Sequence, residues 1–285
     1  MKEEDNWDIE ISAKSGAFDL KLKDVLHYRD LLFLLVRRDF VSFYKQTILG
    51  PIWFFVQPLF TTIIYTFVFG DMGKIPTDGL NKPLFYLAGI TAWGYFSDCL
   101  SKTTTVFTDN ASLFGKVYFP RLIVPLGIVL SNLLRFGVQM LLFFIIMAAY
   151  WSRGAYVHPN SGLLLLPLLL LLMAMLGLGL GMIISAMTTK YRDLRFLITF
   201  GIQLMMYVTT VVYPLSYLIE KHPRYAWLVE YNPMTTVIEA FRYGFLGKGT
   251  FTAESLAITT GITILILLFG IVVFNRVERN FVDTV

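Results

Sequence analysis

Residues 161–187 read SGLLLLPLLLLLMAMLGLGLGMIISAM, an apolar run without one charged side chain. A helix needs about 20 apolar residues to cross about 30 Å of hydrocarbon, and this run is longer than that. The composition extends the argument to the rest of the chain. Of its 285 residues, 56% are hydrophobic and only 15% are charged, whereas soluble domains average about 25% charged residues. The sequence therefore predicts an integral membrane protein.

The spacing of charges along the chain predicts an all-α integral membrane protein with six transmembrane helices. Long intervals without Asp, Glu, Lys or Arg alternate with short charged segments. The second candidate span is the weakest because Asp98 and Lys102 lie in its second half. The six predicted spans are 48–70, 83–107, 122–150, 162–186, 196–218 and 255–275.

The segment before the first span predicts a helix that lies on the membrane surface, over residues 24–45. Its apolar side chains recur mostly at three- and four-residue spacing, and Arg37, Arg38 and Lys45 are among the basic residues beside them. The chain begins Met-Lys-Glu-Glu-Asp, which lacks the basic and apolar regions of a signal peptide. We therefore expect no cleaved leader.

The distribution of basic residues predicts that both termini are cytoplasmic. With the N-terminus inside, cytoplasmic segments hold sixteen of the 24 Lys and Arg residues and outer segments hold seven. The predicted divisions are a cytoplasmic segment 1–23, the surface helix 24–45, a six-span domain 46–275 and a cytoplasmic tail 276–285.

The outer segment 219–250 contains a helical pattern that is too short to span. Residues 231–244 read YNPMTTVIEAFRYG, which predicts a re-entrant or surface helix before the last span. Glu239 and Arg242 are three residues apart and can pair on this helix.

The sequence carries no recognisable active site. It has no phosphate-binding G-x-x-x-x-G-K-[ST] loop, no G-x-S-x-G elbow and no H-E-x-x-H pair. His27, His158 and His222 lie on different segments, so we expect no metal site, and the single Cys99 excludes an intrachain disulfide. The basic residues flank apolar runs and form no single patch, which argues against nucleic-acid binding.

Three charged residues fall within predicted spans. Arg135 interrupts the third span, where a charge is costly unless it is paired or faces water. It therefore either faces a cavity or partner or forms a structural pair with a polar neighbour, and the sequence leaves both open. Asp98 and Lys102 are four residues apart, which favours a mutual ion pair on one helix face over a substrate contact.

Two further patterns concern packing and aromatic surfaces. Gly177, Gly181 and Ser185 recur at every fourth residue, which predicts a close approach between helices. Aromatic side chains cluster on the first and fifth spans, where interfacial belts and core packing explain many of them. Tyrosine rings with a flat apolar face and a hydroxyl also suit a sliding sugar chain, and both interpretations stay open.

The cytoplasmic loop 109–121 reads DNASLFGKVYFPR. Exposed apolar side chains on such a loop are typical of a docking surface for another protein. We expect this surface to contain Leu113, Phe114, Tyr118 and Phe119.

Four stretches in order give the chain a family resemblance. They read LVRRDFVSFYKQTILGP at 35–51, KVYFPR at 116–121, KYRD at 190–193 and YNPM at 231–234. With these stretches the sequence resembles the transmembrane subunits of ABC transporters that export polysaccharide, the ABC-2 permeases of O-antigen, capsule and teichoic acid export. The resemblance implies a homodimer in the bacterial cytoplasmic membrane and two copies of a separate ATPase subunit that holds ATP and Mg²⁺. It also implies a lipid-linked polysaccharide as substrate.

The resemblance also implies roles for individual residues. The coupling contact with the ATPase would involve Leu113, Phe114, Lys116, Tyr118, Phe119, Pro120, Arg121, Tyr191, Arg192 and Asp193. The helix 24–45 would be a gate whose Arg37, Arg38 and Lys45 meet the lipid pyrophosphate. The glycan would pass Tyr65, Phe69, Phe200, Tyr207 and Tyr213.

Two rival functions remain at this point. An ABC-2 exporter of small hydrophobic drugs would share the topology. A membrane-embedded transferase would need intramembrane acid and base groups, for which Asp98, Lys102 and Arg135 are the candidates.

Overall fold

The computed structural model describes residues 26–45, 47–114, 119–191 and 193–281. Within these ranges the backbone forms helices and connecting turns and no strands, which confirms the all-α class. The α-helices are α1 (Arg29–Tyr44), α2 (Trp53–Tyr65), α3 (Lys82–Thr104), α4 (Val106–Asp109), α5 (Ala111–Phe114), α6 (Ile123–Trp151), α7 (Leu166–Lys190), α8 (Leu194–Tyr207), α9 (Leu215–Lys221), α10 (Pro223–Glu230), α11 (Pro233–Leu246) and α12 (Ala253–Phe281). Short 3₁₀ turns precede α2 (Gly50–Ile52) and α7 (Ser161–Leu165), and α2 continues as a π-helical turn over Thr66–Met72.

Four helical stretches are long and apolar enough to cross a membrane. They are Gly50–Met72, Ile123–Trp151, Ser161–Lys190 and Ala253–Val277. These stretches coincide with the first, third, fourth and sixth predicted spans. The four apolar stretches make the chain a multi-pass membrane protein. The second and fifth predicted spans are not among these four stretches.

The second predicted span corresponds to α3, a 23-residue helix enclosed by other helices. Fifteen of its residues are buried, and it packs against α2, α6, α7 and α11. A helix surrounded by protein needs no continuous apolar surface toward lipid, so it can carry Asp98 and Lys102. Its average hydropathy is low for this reason.

The fifth predicted span, 196–218, is not one continuous helix. Helix α8 ends at Tyr207, and α9 begins only at Leu215, after Pro214. Proline disfavours the helical conformation of the preceding residue and lacks an N–H donor, so it keeps Tyr213 out of a helix and α9 begins only after it. The Thr209 hydroxyl donates to the Met205 carbonyl and so satisfies the freed end of α8. At 14 residues, α8 is about 21 Å long.

The small residues of α7 bring three helices into close contact, as predicted. A Cβ atom on Gly181 would lie 2.5 Å from the Cβ of Thr103 on α3. On the opposite side of α7, a Cβ on Gly179 would lie 2.9 Å from the Cα of Leu267 on α12. Helix α7 is therefore packed tightly between α3 and α12.

The predicted helix within the outer segment forms as α11. Asn232 caps its start, where its side-chain oxygen accepts from the Met234 amide at 3.0 Å, and Pro233 occupies the first turn. Gly247 ends it in the left-handed conformation with φ of +80°, which favours glycine. The helix packs against α3, α7, α12 and the turn before α7.

Helix α1 confirms the helical character predicted over 24–45, of which residues 24 and 25 lie outside the described residues. Its buried side is anchored by Leu35, only 2% exposed, against α6 close to Gly127. Leu26, Phe33 and Leu34 point away from the protein and are highly exposed. The helix therefore holds to α6 by one side and presents apolar side chains outward on another.

Candidate functional site

The predicted coupling loop 109–121 begins at the last residue of α4 and contains α5, and packed phenyl rings hold it. The Phe107 ring lies 4.7 Å from Phe274 of α12 and 5.9 Å from Phe114. The Phe119 ring lies 5.8 Å from Phe114. These four rings tie the loop to the last helix, so the loop and α12 form one packed unit.

This packing corrects the predicted docking surface. Phe114 is 8% exposed and Phe119 is 4% exposed, so the expectation that their rings face the cytosol is wrong. Phenyl rings gain more free energy by packing on one another than by facing water, and Phe114 packs on Phe107 and Phe119. Leu113 is only half-buried, and the Arg121 guanidinium lies 5.5 Å from the Phe114 ring centre. Pro120 is half-buried, while Lys116 and Tyr118 lie outside the described residues.

Polar contacts join the same loop to two other helices. Arg195 of α8 lies 3.7 Å from the Asp109 carboxylate, which also accepts from the Thr105 hydroxyl at 2.6 Å. Arg38 of α1 donates to the Asn110 side-chain oxygen at 3.5 Å. The sequence analysis missed these links, because isolated polar residues far apart in the chain give no local pattern.

The turn between α7 and α8 holds the other predicted coupling residues. Tyr191 is exposed, with the Lys190 ammonium 5.3 Å from its ring centre, and Asp193 is exposed as well. Arg192 lies outside the described residues. The turn therefore offers a free aromatic side chain beside basic and acidic groups.

The predicted gate residues lie on α1. Arg37 and Lys45 are exposed. Arg38 forms an ion pair with Asp39 at 2.9 Å, which offsets part of its charge. Among the described residues, Arg37 and Lys45 have no acidic partner, so they supply the uncompensated positive charge of this segment.

The predicted aromatic path is partly assembled within one chain. The Tyr65 and Phe69 rings of the first span lie 5.2 Å apart, and the Tyr65 hydroxyl donates to the Met206 sulfur of α8 at 3.6 Å. The Tyr213 hydroxyl donates to the Tyr207 carbonyl at 3.0 Å. Phe200 and Tyr207 point outward and are about half-exposed. The first span and α8 therefore meet at an aromatic surface that continues onto an open face.

The three charges predicted within spans lie near one another. Lys102 donates to the Asn132 side-chain oxygen at 3.1 Å, and within the described residues no direct ion pair joins it to Asp98. The charges of Asp98 and Lys102 nevertheless act on each other, so their mutual neutralisation stays a prediction, and the amide on α6 gives Lys102 a direct partner that sequence spacing cannot reveal. Asp98 and Arg135 instead line one cavity of about 250 Å³ between α2, α3, α6 and α8, and Arg135 lies 5.8 Å from the Phe54 ring centre.

The pair predicted on α11 does form. Arg242 Nη1 donates to Glu239 Oε1 at 3.1 Å, and both side chains are 1% exposed. Arg242 also donates to the backbone carbonyls of Val211 and Phe85.

Comparison with known proteins places the chain. Residues 30–246, from α1 to the end of α11, match the ABC-2 type transporter family. The chain belongs to the ABC-2 type transporter family. This ABC-2 region contains α1, the cavity, the aromatic surface of α2 and α8, and the predicted coupling loop.

Relatives of this ABC-2 chain extend the similarity almost to its full length. It is 27% identical over 265 residues to an O-antigen export system permease protein RfbA of Klebsiella pneumoniae, covering 93% of this chain and 98% of that protein. It is 26% identical over 266 residues to an O-antigen export system permease protein RfbA of Myxococcus xanthus, with the same coverage. The family identifies a transport subunit and not a catalytic one.

Proposed function

We propose that this chain is the permease subunit of an ABC exporter that moves a lipid-linked polysaccharide across the bacterial cytoplasmic membrane. The observation that carries the proposal is the similarity to O-antigen export permeases over 93% of the chain. It is supported by the aromatic surface shared by the first span and α8, which suits a passing glycan better than a small apolar drug.

The proposed topology has six spans with both termini in the cytoplasm. Helix α3 serves as the second span, since its 23 residues reach about 35 Å. Helices α8 and α9 together make an interrupted fifth span, and α10 and α11 form the outer re-entrant segment. Irregular backbone at membrane depth requires burial in protein or a water-filled cavity, and the interruption at 208–214 packs beside Arg242.

The proposed assembly contains two permeases and two copies of an ATPase subunit that binds ATP and Mg²⁺. Two contact surfaces on each permease would receive the ATPase: the exposed parts of the α4–α5 loop and the turn at Tyr191 and Asp193. Because Phe114 and Phe119 are buried, their proposed role is to make the loop rigid. A movement of the ATPase would then be transmitted through the loop to the membrane helices.

Two polar contacts connect this loop to other helices and would transmit its movement. Asn110 connects it to α1 through Arg38, and Asp109 connects it to α8 through Arg195. Helix α1 is the proposed gate, and α8 borders the proposed glycan path. Closure of the ATPase dimer would therefore shift the gate and the path together, as a rigid-body movement.

The gate proposal assigns the lipid pyrophosphate to Arg37 and Lys45, with Arg38 partly neutralised by Asp39. Basic groups at headgroup level attract anionic lipids, and guanidinium groups bind phosphate with paired hydrogen bonds. The glycan would then pass Tyr65, Phe69, Phe200, Tyr207 and Tyr213, whose rings offer stacking faces along α2 and α8.

The test combines export with subunit assembly. A strain that lacks this permease and produces no surface polysaccharide receives the wild-type chain together with its ATPase subunit. We expect restored surface polysaccharide and co-purification of the two subunits. A gain of drug resistance without surface polysaccharide would instead establish the drug exporter, and a chain that binds no ATPase would overturn the proposal.

A matched pair of variants tests the coupling surface. Tyr191→Ala should weaken ATPase co-purification, because Tyr191 is 54% exposed on the cytoplasmic turn. Tyr225→Ala is the control, because Tyr225 is 57% exposed but lies on the proposed outer side. Equal retention of ATPase by both variants would contradict the assignment of this turn.

A further inference from the structure

The cavity between α2, α3, α6 and α8 combines aromatic and polar walls. Trp53, Phe54 and Trp93 supply the aromatic side chains. The polar side chains that line it are Gln57, Thr61, Ser97, Asp98, Arg135 and Gln139. Thr61 and Ser97 already donate to the backbone carbonyls of Gln57 and Gly94. A carboxylate and two amides on the same wall can hydrogen-bond to something in that space, because buried polar groups are costly unless they are hydrogen-bonded.

The Asp98 carboxylate is the charged acceptor on the cavity wall. Within the described part of the chain it receives no hydrogen bond from another side chain or backbone group, although the positive charges of Lys102 and Arg135 act on it. Lys102, one turn further along α3, is directed to Asn132 instead. A carboxylate with open acceptor sites requires donors from water or from a ligand.

The charges that line the cavity favour a neutral ligand over an anionic one. Asp98 and Arg135 contribute one charge of each sign, and the other polar groups are amides and hydroxyls. An anionic phosphate would meet Arg135 but would be repelled by Asp98. A neutral ligand with several hydroxyl groups can donate to the carboxylate and the amide oxygens and accept from the guanidinium and the amide nitrogens.

The aromatic side chains on the wall and the volume of the cavity indicate the class of ligand more closely. Trp93 is only 6% exposed and its ring lies 5.2 Å from that of Phe96, so its face is held in a fixed orientation. Flat apolar faces next to hydrogen-bonding groups suit a ring that has both C–H faces and hydroxyl edges. At about 30 Å³ per water molecule, about 250 Å³ holds roughly eight waters, which is room for one sugar ring.

We propose that this cavity is a binding site for one uncharged, hydroxyl-rich sugar ring, lined by Trp53, Trp93, Asp98 and Arg135 and open beside Trp53 and Gln57. The site rests on the proposed function, because an exported glycan supplies such rings at membrane depth beside α2 and α8. It lies inside a single chain, to the side of the aromatic surface at Tyr65, so it holds one unit of the glycan while the rest remains in the path.

Gly94 provides a way to fill the cavity without changing its charges. It lies on the wall of α3, and a Cβ at this position would be 3.5 Å from Gln139 Oε1, an ordinary contact. Gly94→Leu therefore places its branched end in the cavity. Gly137→Leu is the matched control on α6, because a Cβ there meets nothing within 4 Å. Both changes replace a helical glycine, so both gain the same helix propensity.

The binding experiment uses the full chain with its ATPase subunit in phosphatidylcholine nanodiscs. Two of the five tryptophans line the cavity, so a ligand there changes the intrinsic fluorescence. The probes are methyl α-D-glucopyranoside and methyl α-D-mannopyranoside, with inorganic pyrophosphate as the anionic comparison, all at constant osmolality. We expect a saturable response to at least one hexoside and none to pyrophosphate.

The variants give the expected pattern. Gly94→Leu should abolish the hexoside response and slow export, whereas Gly137→Leu should leave both as in the wild type. Asp98→Asn keeps the shape of the side chain but loses a charged acceptor, so hexoside binding should weaken about tenfold or more.

Three results would each overturn the site: no hexoside response in the wild type, a response to pyrophosphate alone, or equal behaviour of Gly94→Leu and Gly137→Leu. Failure of the proposed function is separate, since it shows as a wild-type chain that restores no surface polysaccharide whatever the fluorescence reports.

Discussion

The buried ion pair of Glu239 and Arg242 should be the most sensitive point of the part of the protein around α11. Arg242 lies 3.1 Å from Glu239 and donates to the carbonyls of Val211 at 3.0 Å and Phe85 at 3.4 Å. The second Glu239 oxygen accepts from the Thr250 amide at 2.9 Å. Four segments of the chain therefore meet at one pair of opposite charges that water does not reach.

The perturbation is a double-mutant cycle. Glu239→Gln keeps the side-chain shape but leaves the guanidinium without a negative partner, and Arg242→Met leaves the carboxylate without a positive one. Breaking a buried pair from one side costs about 3–5 kcal/mol, because an uncompensated charge stays buried. The double variant removes both charges and loses mainly the two hydrogen bonds to backbone carbonyls, at about 1 kcal/mol each.

The assay is thermal unfolding of the purified chain in detergent, followed by tryptophan fluorescence. A protein of this size shifts by about 2 °C for each kcal/mol. We therefore expect Tm to fall by about 6–10 °C in each single variant and by about 4 °C in the double variant. Asp109→Asn is the control, because its partner Arg195 is 60% exposed and an exposed pair contributes at most about 1 kcal/mol.

The double variant decides whether the reasoning is correct. If its fall in Tm equals the sum of the two single falls, the two charges do not compensate each other and the ion pair has no coupling energy. The packing of the Arg242 side chain against the Phe85 ring, whose centre is 3.6 Å from the guanidinium carbon, would then account for part of the loss.

Three further predictions concern packing, coupling and the path. Gly181→Ala should lower Tm by about 2–6 °C, because its Cβ would clash with Thr103 at a cost of about 1–3 kcal/mol. The control Gly261→Ala, whose Cβ meets nothing within 4 Å, should leave Tm unchanged or higher. Equal Tm values for the two variants would refute close packing at Gly181. Asn110→Ala should reduce polysaccharide export per ATP hydrolysed while subunit assembly persists, because it breaks the link to Arg38, and an unchanged ratio would exclude this route. Replacing Tyr207 and Tyr213 together by Ala should slow export with normal membrane insertion, measured by surface polysaccharide and by membrane fractionation; undiminished export would remove them from the path.

The sequence predicted best the helices whose surfaces face lipid. Spans that face hydrocarbon must be apolar along their whole length, so charge-free intervals located the four stretches from Gly50–Met72 to Ala253–Val277. Helix α3 faces protein, so its composition follows its neighbours and weakens the signal. The end of α8 at Tyr207 was readable in principle from Pro214, but a continuous apolar run outweighed that single residue.

The candidate site was predictable only where neighbours are close in sequence. The pair of Glu239 and Arg242 follows from three-residue spacing on a helix. Lys102 has two possible partners, and its choice of Asn132 over Asp98 depends on where α6 lies against α3. Phe114 likewise packs on Phe107, whose ring stacks on Phe274 of α12, and no local pattern connects Phe107 to a residue so far along the chain.

The enclosure of α3 also bears on how the protein is made. In the proposed six-span arrangement, α3 carries Asp98 and Lys102 into the membrane, and charged groups near a helix centre oppose release from the translocon into lipid. The surfaces that shelter this helix belong to α6 and α7, which are synthesised later. Helix α3 must therefore remain at the translocon, or at the membrane surface, until α7 emerges. The glycines at 177 and 181 that let α7 approach so closely would then act during biogenesis, by completing the insertion of a helix made before them.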